Sequence, residues 1–317
     1  MGLWYDNIKA KIMKKLLFIY NPNSGTGEIC KKIADVLDIF TQAGYEVVAY
    51  PTQASGDGTE KVREEGCDFD RIVVAGGDGM LNELVNAVMA LPKQVTVGYL
   101  PTGTVNDFAT THKIPKNNAV EAAKIAASDN VKSVDLGKFG DKYFSYVAAF
   151  GLVTSVAYDT PQKIKKRWKV LAYVLRALKQ IRPNMFKKAS KRVTIQTESV
   201  SITGDFIFGA ISNSLSIGGM KNLIEKSSKM DDGLLEGLFI PKPKGLRQWN
   251  KLLKSLITRD FSSSVTTFVR AKHFYIKSEK AGWTLDGENG GEHEEIEVSA
   301  QKQVLKIVLP EEDTNCS

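Results

Sequence analysis

The sequence predicts an α/β N-terminal domain built on a parallel sheet, joined to a mainly antiparallel β-sandwich C-terminal domain. Three observations predict it. Residues 15–135 alternate short apolar runs with helix-length amphipathic stretches, the rhythm of parallel strands linked by crossover helices. Beyond Leu136 the period drops to two, and the runs are separated by turn residues, as in antiparallel sheets. The chain's 317 residues also exceed the usual size of one hydrophobic core, so two domains are expected.

In order, the first half reads as a strand at Leu16 to Tyr20, a helix from Glu28 to Ala43, a strand at Val47 to Tyr50 and a helix from Gly58 to Gly66. A strand at Ile72 to Ala75, a helix from Leu81 to Ala90 and a strand at Val95 to Leu100 follow. The second half reads as strands at Val193 to Glu198, Phe206 to Ser212, Leu234 to Ile240, Val265 to Val269, Phe274 to Lys277, Glu295 to Val298 and Val304 to Leu309. The composition shifts near Val134-Asp135-Leu136-Gly137, which divides the chain into 13–135 and 136–300, with the last strand, 301–312, able to rejoin the first domain. Residues 1–12 precede Met13-Lys14-Lys15, which leads straight into a strand, and read as a leader outside the fold.

Hydrophobic residues at 43% and charged residues at 25% exclude disorder as a description of the whole chain. No apolar run approaches a membrane span, and the N-terminus lacks the apolar core of a secretion signal. Cys30, Cys67 and Cys316 form neither a CxxC pair nor a zinc spacing, which favours a reducing, cytoplasmic setting. His112, His273 and His293 show no ligand spacing either. The net charge of +7 is concentrated: residues 160–192 carry twelve bases and no acid, so the remainder is net acidic. Ile164, Trp168, Leu171, Leu175 and Leu178 thread that segment with a helical apolar stripe. Such a helix can pack on its own protein while its bases face an anionic membrane surface, which makes peripheral membrane association the expectation. Too few aromatics are interleaved there for base stacking, so no nucleic-acid partner is expected. Exposed β edges in the second half leave a homodimer open.

Three loops follow strand ends and are built from small residues. Asn21-Pro22-Asn23-Ser24-Gly25 precedes a helix, Gly76-Gly77-Asp78-Gly79 precedes Met80-Leu81-Asn82-Glu83, and Gly103-Thr104-Val105-Asn106-Asp107 ends at a helix start. Small residues let backbone approach a ligand closely, and helix N-termini offer N–H groups to an anion. An Asp among the glycines can hold magnesium through water. In parallel sheets ligands gather beyond the carboxyl ends of the strands, so three such loops point to one phosphate site.

These motifs, in this order and spacing, resemble the diacylglycerol kinase catalytic domain family, and its soluble bacterial lipid kinase branch in particular. The resemblance continues through Lys229-Met230-Asp231-Asp232-Gly233-Leu234 and Leu285-Asp286-Gly287-Glu288, and so covers nearly the whole chain from Met13. It implies ATP bound by Asn21, Pro22, Asn23, Ser24, Gly25, Thr52, Gly76, Gly77, Asp78, Gly79, Met80, Leu81, Asn82 and Thr104, with Asp107 beside them. It implies Mg2+ at Asp78 and Asp107, with Asp135 in support, and a structural Mg2+ held by Asp232 with the carbonyls of Lys229 and Leu234. Glu288 is the implied general base, with Asp286 beside it, and a diacylglycerol or related lipid alcohol the implied acceptor. One departure stands out: the family usually carries Thr where this chain has Met80, which withdraws a hydroxyl from the nucleotide loop. Two rival readings remain at this point, an NAD kinase-like enzyme that shares the Gly-Gly-Asp-Gly loop and a non-catalytic module that binds anionic membranes.

Overall fold

The computed structural model describes residues 13–25, 27–151, 190–213, 216–217, 220–221, 232–258 and 266–311. Most of the basic segment 160–192, Lys229 and residues 1–12 lie outside the described residues. In chain order the elements are β1 (Lys14–Tyr20), α1 (Glu28–Gln42), β2 (Tyr45–Pro51), α2 (Asp57–Glu65), β3 (Arg71–Gly76), α3 (Asp78–Met89), β4 (Thr96–Pro101), α4 (Asp107–Thr111), α5 (Ala119–Ala127), β5 (Val131–Phe139), β6 (Lys142–Phe144) and β7 (Val147–Gly151). Then come β8 (Lys191–Gln196), β9 (Ser201–Ser212), β10 (Ser216–Ile217), β11 (Met220–Lys221), β12 (Leu235–Pro241), α6 (Leu246–Thr258), β13 (Thr267–Ala271), β14 (His273–Leu285) and β15 (Glu288–Val308).

The first four strands pair parallel in the order β2-β1-β3-β4. Every residue of β3 is buried, so both faces of this sheet are covered, as its unbroken apolar run requires. The covers are helix pairs, α1 with α5 and α2 with α3. Ile29, Val36 and Phe40 of α1 supply a buried stripe at helical spacing, and Glu28 sits favourably in its first turn. In α5 the Asn118 side chain accepts the Glu121 N–H at 3.1 Å as an N-cap, and four alanines let the helix lie close to its neighbours. From β1 the chain passes to β2 on one side, whereas from β3 it passes to β4 on the other. The ends of β1 and β3 therefore flank a topological switch point, where a crevice opens.

β15 joins the two halves of the molecule. Its first part pairs antiparallel with β14, and its last turns alongside β4, where Ile307 pairs parallel with Val97. β5 runs antiparallel along its other edge from Phe139 to Val131. Beyond β14, β7 and β8 lie end to end and both pair with β9, which is followed by β12 and the edge strand β13. Among the described residues these pairings make one sheet of 13 strands. Among the described residues the apolar interior has two large clusters and a small one at Tyr146, Val147, Ala149 and Ala210. Of the large ones, one spans Leu16 to Leu136 with Leu305, Ile307 and Leu309 added, and the other spans Phe139 to Ala300.

Three features differ from the sequence expectation. Where a separate antiparallel β-sandwich is expected, the strands of the second half, among the described residues, continue the same sheet through β15. The runs at 295–298 and 304–309 belong to a single strand, whose alternation is interrupted by a register shift between Gln301 and Leu305, with Gln303 at φ 54°. The sequence pattern does not predict α5, α6, the strands β5 to β7 or the short strands β10 and β11.

Candidate active site

The three strand-end loops meet. Asn21 donates its N–H to Ala75 O at 3.1 Å, and Thr52, directly after β2, donates to Tyr20 O at 2.9 Å. The Gly25 backbone, at φ 57°, comes so close to the loop after β4 that a Cβ would lie 2.1 Å from Thr102 O. Thr102 Oγ1 in turn donates to Ser24 Oγ at 3.0 Å. A Cβ on Gly103 would lie 2.4 Å from Gly77 Cα, so the second and third loops touch backbone to backbone, which only glycine allows. Thr102 and Gly103 both donate N–H to Gly76 O, at 3.0 and 3.2 Å. Asn106, at φ 52°, donates its amide to Gly103 O at 2.9 Å and locks the third loop.

Beside these loops lies a cleft of about 440 Å³, lined by Asn21, Asn23, Thr52, Gly79, Met80 and Glu288 among others. Ile19, Val74 and Leu84 add apolar surface, and Gln53, Ser55, Thr59 and Glu83 add polar surface. Sequence reasoning missed this second group. The loop Ser55-Gly56-Asp57-Gly58, which also follows a strand and opens a helix, was the available signal. Met80 folds over the first glycine of its loop, where a Cβ on Gly76 would lie 2.5 Å from the Met80 sulfur. Thr104 is exposed, and Leu81 is buried in the core, so only Leu81's backbone is available to a ligand.

Two acids sit behind the loops. Asp78 opens α3 and Asp107 opens α4. The Asp78 carboxyl is pushed up to about 7, by burial above all, then by the charges of Asp107 and Asp286, against N–H groups of Phe108 and Asn106 that favour its ionised form. Its Oδ1 is buried without a hydrogen-bond partner.

Glu288 reaches the site from the start of β15. Its Oε1 lies 2.6 Å from where a Cβ on Gly79 would be, so the carboxylate rests on the first turn of α3, within the cleft wall. Asp286 is differently placed. Buried and at φ 51°, it accepts N–H from Tyr146 and Val147 on Oδ1, each at 3.0 Å, and from Ser145 at 2.6 Å and the Asn82 amide at 2.8 Å on Oδ2. Burial pushes its carboxyl above the ordinary range against the pull of those donors. With four donors on two oxygens, the Asp286 carboxylate is fastened to the turn that presents Glu288. Asn82 likewise spends its amide on Asp286 and on Tyr143 O, at 3.1 Å, not on the cleft.

Asp135 is held by backbone N–H groups. Its Oδ2 accepts the Gly233 N–H and its Oδ1 the Gln303 N–H, both at 2.8 Å, so it braces the turn at Asp232 against the irregular part of β15. Asp232 accepts the Leu234 N–H at 3.0 Å and is paired with the Arg270 guanidinium, which also lies 3.5 Å from Glu236. A metal ion at this turn would have to share Asp232 with Arg270. Among the described residues no three His, Cys, Asp or Glu side chains gather closely enough to hold a metal by themselves.

Converging strand-end loops at a switch point, with a carboxylate over a helix start beside them, make a cleft of the kind that takes an anionic ligand. Comparison with known proteins gives the family. The family model of the diacylglycerol kinase catalytic domain matches residues 15–139. A diacylglycerol kinase of Bacillus subtilis strain 168 is 32% identical over 88% of this chain and 91% of its own length. One from Staphylococcus carnosus strain TM300 is 29% identical over 95% of this chain and 99% of its own. A crystal structure of a diacylglycerol kinase from Bacillus anthracis strain Sterne has the same fold, with TM-score 0.75 and 22% identity over 94% of this chain and 98% of that one. The chain belongs to the diacylglycerol kinase family, and it is a kinase.

Proposed function

We propose that the chain is an ATP-dependent lipid kinase that moves the γ-phosphoryl group of ATP to the hydroxyl of diacylglycerol or a closely related lipid alcohol, giving phosphatidic acid or its counterpart. The observation that carries this reading is the placement of the Glu288 carboxylate on the first turn of α3, in the wall of a cleft that also contains Asn21, Asn23 and Thr52. Glu288 takes the proton of the acceptor hydroxyl as that oxygen attacks the γ-phosphorus, and the bond from phosphorus to the β,γ-bridging oxygen breaks to leave ADP. A positioned base of this kind contributes about 10²- to 10⁴-fold in rate. The close backbone contacts of Gly25 with Thr102 and of Gly77 with Gly103 gather the three loops at one place, and the start of α3 offers N–H groups there to phosphate oxygens.

The residues fit a magnesium ion beside the phosphates. Asp78 offers a buried carboxylate oxygen with no other partner, and magnesium is characteristically bound by one or two carboxylates together with substrate phosphates and water. Magnesium when bound neutralises charge that develops on the phosphoryl oxygens. Asp107 reinforces the negative potential at Asp78, and Asp286 fixes the turn that carries Glu288. The basic segment 160–192 would then hold the enzyme on anionic headgroups while the acceptor enters. No helix among the described residues is long and apolar enough to cross a membrane. The test is Glu288→Gln, assayed with Mg2+-ATP and diacylglycerol in anionic vesicles. Loss of phosphatidic acid with an unchanged melting temperature supports the reading, and retained turnover removes Glu288 as the base.

A further inference from the structure

Helix α3 and the turn at 286–288 are fastened to each other at two places on one helix face. At the first, Glu288 rests on Gly79. At the second, three residues further along α3, the Asn82 amide donates to Asp286 Oδ2 at 2.8 Å and to Tyr143 O at 3.1 Å. One turn later Asn86 continues the ladder. Its amide donates to Tyr143 O at 2.9 Å and to Asn82 Oδ1 at 3.3 Å, while its own oxygen accepts the Tyr143 N–H at 2.8 Å. Tyr143 belongs to β6, and the residues that follow it, Ser145, Tyr146 and Val147, are those whose N–H groups enclose the Asp286 carboxylate. The Tyr146 hydroxyl closes the enclosure by donating to Asp286 O at 2.9 Å. The two asparagines therefore grip both the turn that carries Glu288 and the strand segment that shapes that turn.

We propose that Asn82 is a positioning residue, which sets the distance from the phosphate loop at the start of α3 to the Glu288 carboxylate, and is not a nucleotide ligand. The proposal rests on the kinase reading above. A carboxylate bonded only to backbone N–H groups would hold its own turn but would leave that turn free to shift relative to α3. The Asn82 amide is the side-chain link between them, and its carbonyl oxygen is oriented by Asn86 so that both amide hydrogens point toward the turn and β6. A displacement of about 1 Å between a reacting group and its base costs on the order of 10²-fold in rate, so a loosened strut is read in turnover before it is read in binding.

The test compares wild type with Asn82→Ala by three measurements: steady-state turnover on vesicles, ATP binding by calorimetry, and hydrogen exchange at the Ser145, Tyr146 and Val147 amides. The expected result is a fall in kcat of about 10- to 100-fold, an ATP Kd within about twofold of wild type, and exchange about tenfold faster at the three amides. Should Asn82→Ala fail to fold, Asn86→Ala is read in the same way, with smaller changes of the same pattern. An ATP Kd weakened in step with kcat/KM, or an unchanged kcat, overturns the proposal. If wild type itself transfers phosphate to no lipid, the kinase reading has failed. The exchange measurement then decides the strut alone, and unaltered protection at the three amides overturns it.

Discussion

The contact between Glu288 and Gly79 makes a sharp prediction about a substitution that is normally benign. Gly79 is the second residue of α3 and its φ is not positive, so alanine fits the backbone and stabilises a helix by up to about 1 kcal/mol. The added Cβ, however, would lie 2.6 Å from Glu288 Oε1, 3.3 Å from its Cδ and 3.4 Å from its Cγ. An oxygen and a methyl carbon need at least about 3.4 Å, so the carboxylate must withdraw by close to 1 Å. It can do so, because Glu288 is an exposed side chain at the start of a strand. The fold therefore survives while the proposed base leaves its place, and a 1 Å error in that place is worth about 10²-fold, or about 2.7 kcal/mol of transition-state stabilisation. The assay is turnover on diacylglycerol vesicles beside thermal unfolding. Gly79→Ala should lose about 99% of kcat, with a melting temperature unchanged or raised by up to about 3 °C. Wild-type turnover, or a melting temperature that falls along with activity, would refute the reasoning.

Other predictions follow from the same geometry. Asp286→Asn leaves one oxygen for donors that now occupy two and turns an amide toward the rest, so urea unfolding should show a loss of about 2–4 kcal/mol together with reduced turnover. For Asp78 the folded-state pKa of about 7 lies above its ordinary 3.8, so the folded protein keeps a proton that the unfolded chain has released. The contribution of Asp78 to metal-free stability should therefore be fully present below about pH 4 and be lost as the pH rises toward 7, at most about 4 kcal/mol. Asp78→Asn should flatten that slope in urea melts run with EDTA, and an identical slope in the variant would contradict the assignment. Sedimentation with anionic vesicles should show binding that is lost between about 0.1 and 0.5 M salt, because attraction between basic side chains and headgroups is screened over that range, whereas salt-insensitive binding would exclude an electrostatic role for residues 160–192.

The parts of the site legible in the sequence were those where chemistry is local. Asn21 to Gly25, Gly76 to Gly79 and Gly103 to Asp107 announce themselves because backbone that touches backbone needs glycine, and because each loop follows an apolar run. The role of Asp286 was not legible. Its acidic, glycine-rich surroundings read equally well as an exposed turn, and the N–H groups that saturate it come from residues about 140 positions earlier. Asn82 is hidden in the same way, since its partner Asp286 is 204 residues distant. The unity of β15 was masked by its own irregularity, where Gln303 takes a left-handed conformation and turns its N–H to Asp135, which breaks the alternation that marks a strand. β5 was lost for a related reason: Val134, Asp135, Leu136 and Gly137 are all buried, one of them a carboxylate satisfied by backbone, so the run carries no period of two. The apolar side of the cleft escaped notice because Ile19, Val74 and Leu84 look like ordinary core residues.

On the proposed reading this kinase acts on a lipid hydroxyl, with Glu288 over Gly79 as its base. The measurement that tests it most directly is transfer of label from γ-labelled ATP across a panel of acceptors, comprising diacylglycerol, other lipid alcohols in anionic vesicles and soluble NAD. Label should appear in the diacylglycerol or a related lipid fraction for wild type, and in no fraction for Glu288→Gln. Label in soluble NAD, or equal lipid labelling by wild type and variant, would contradict it.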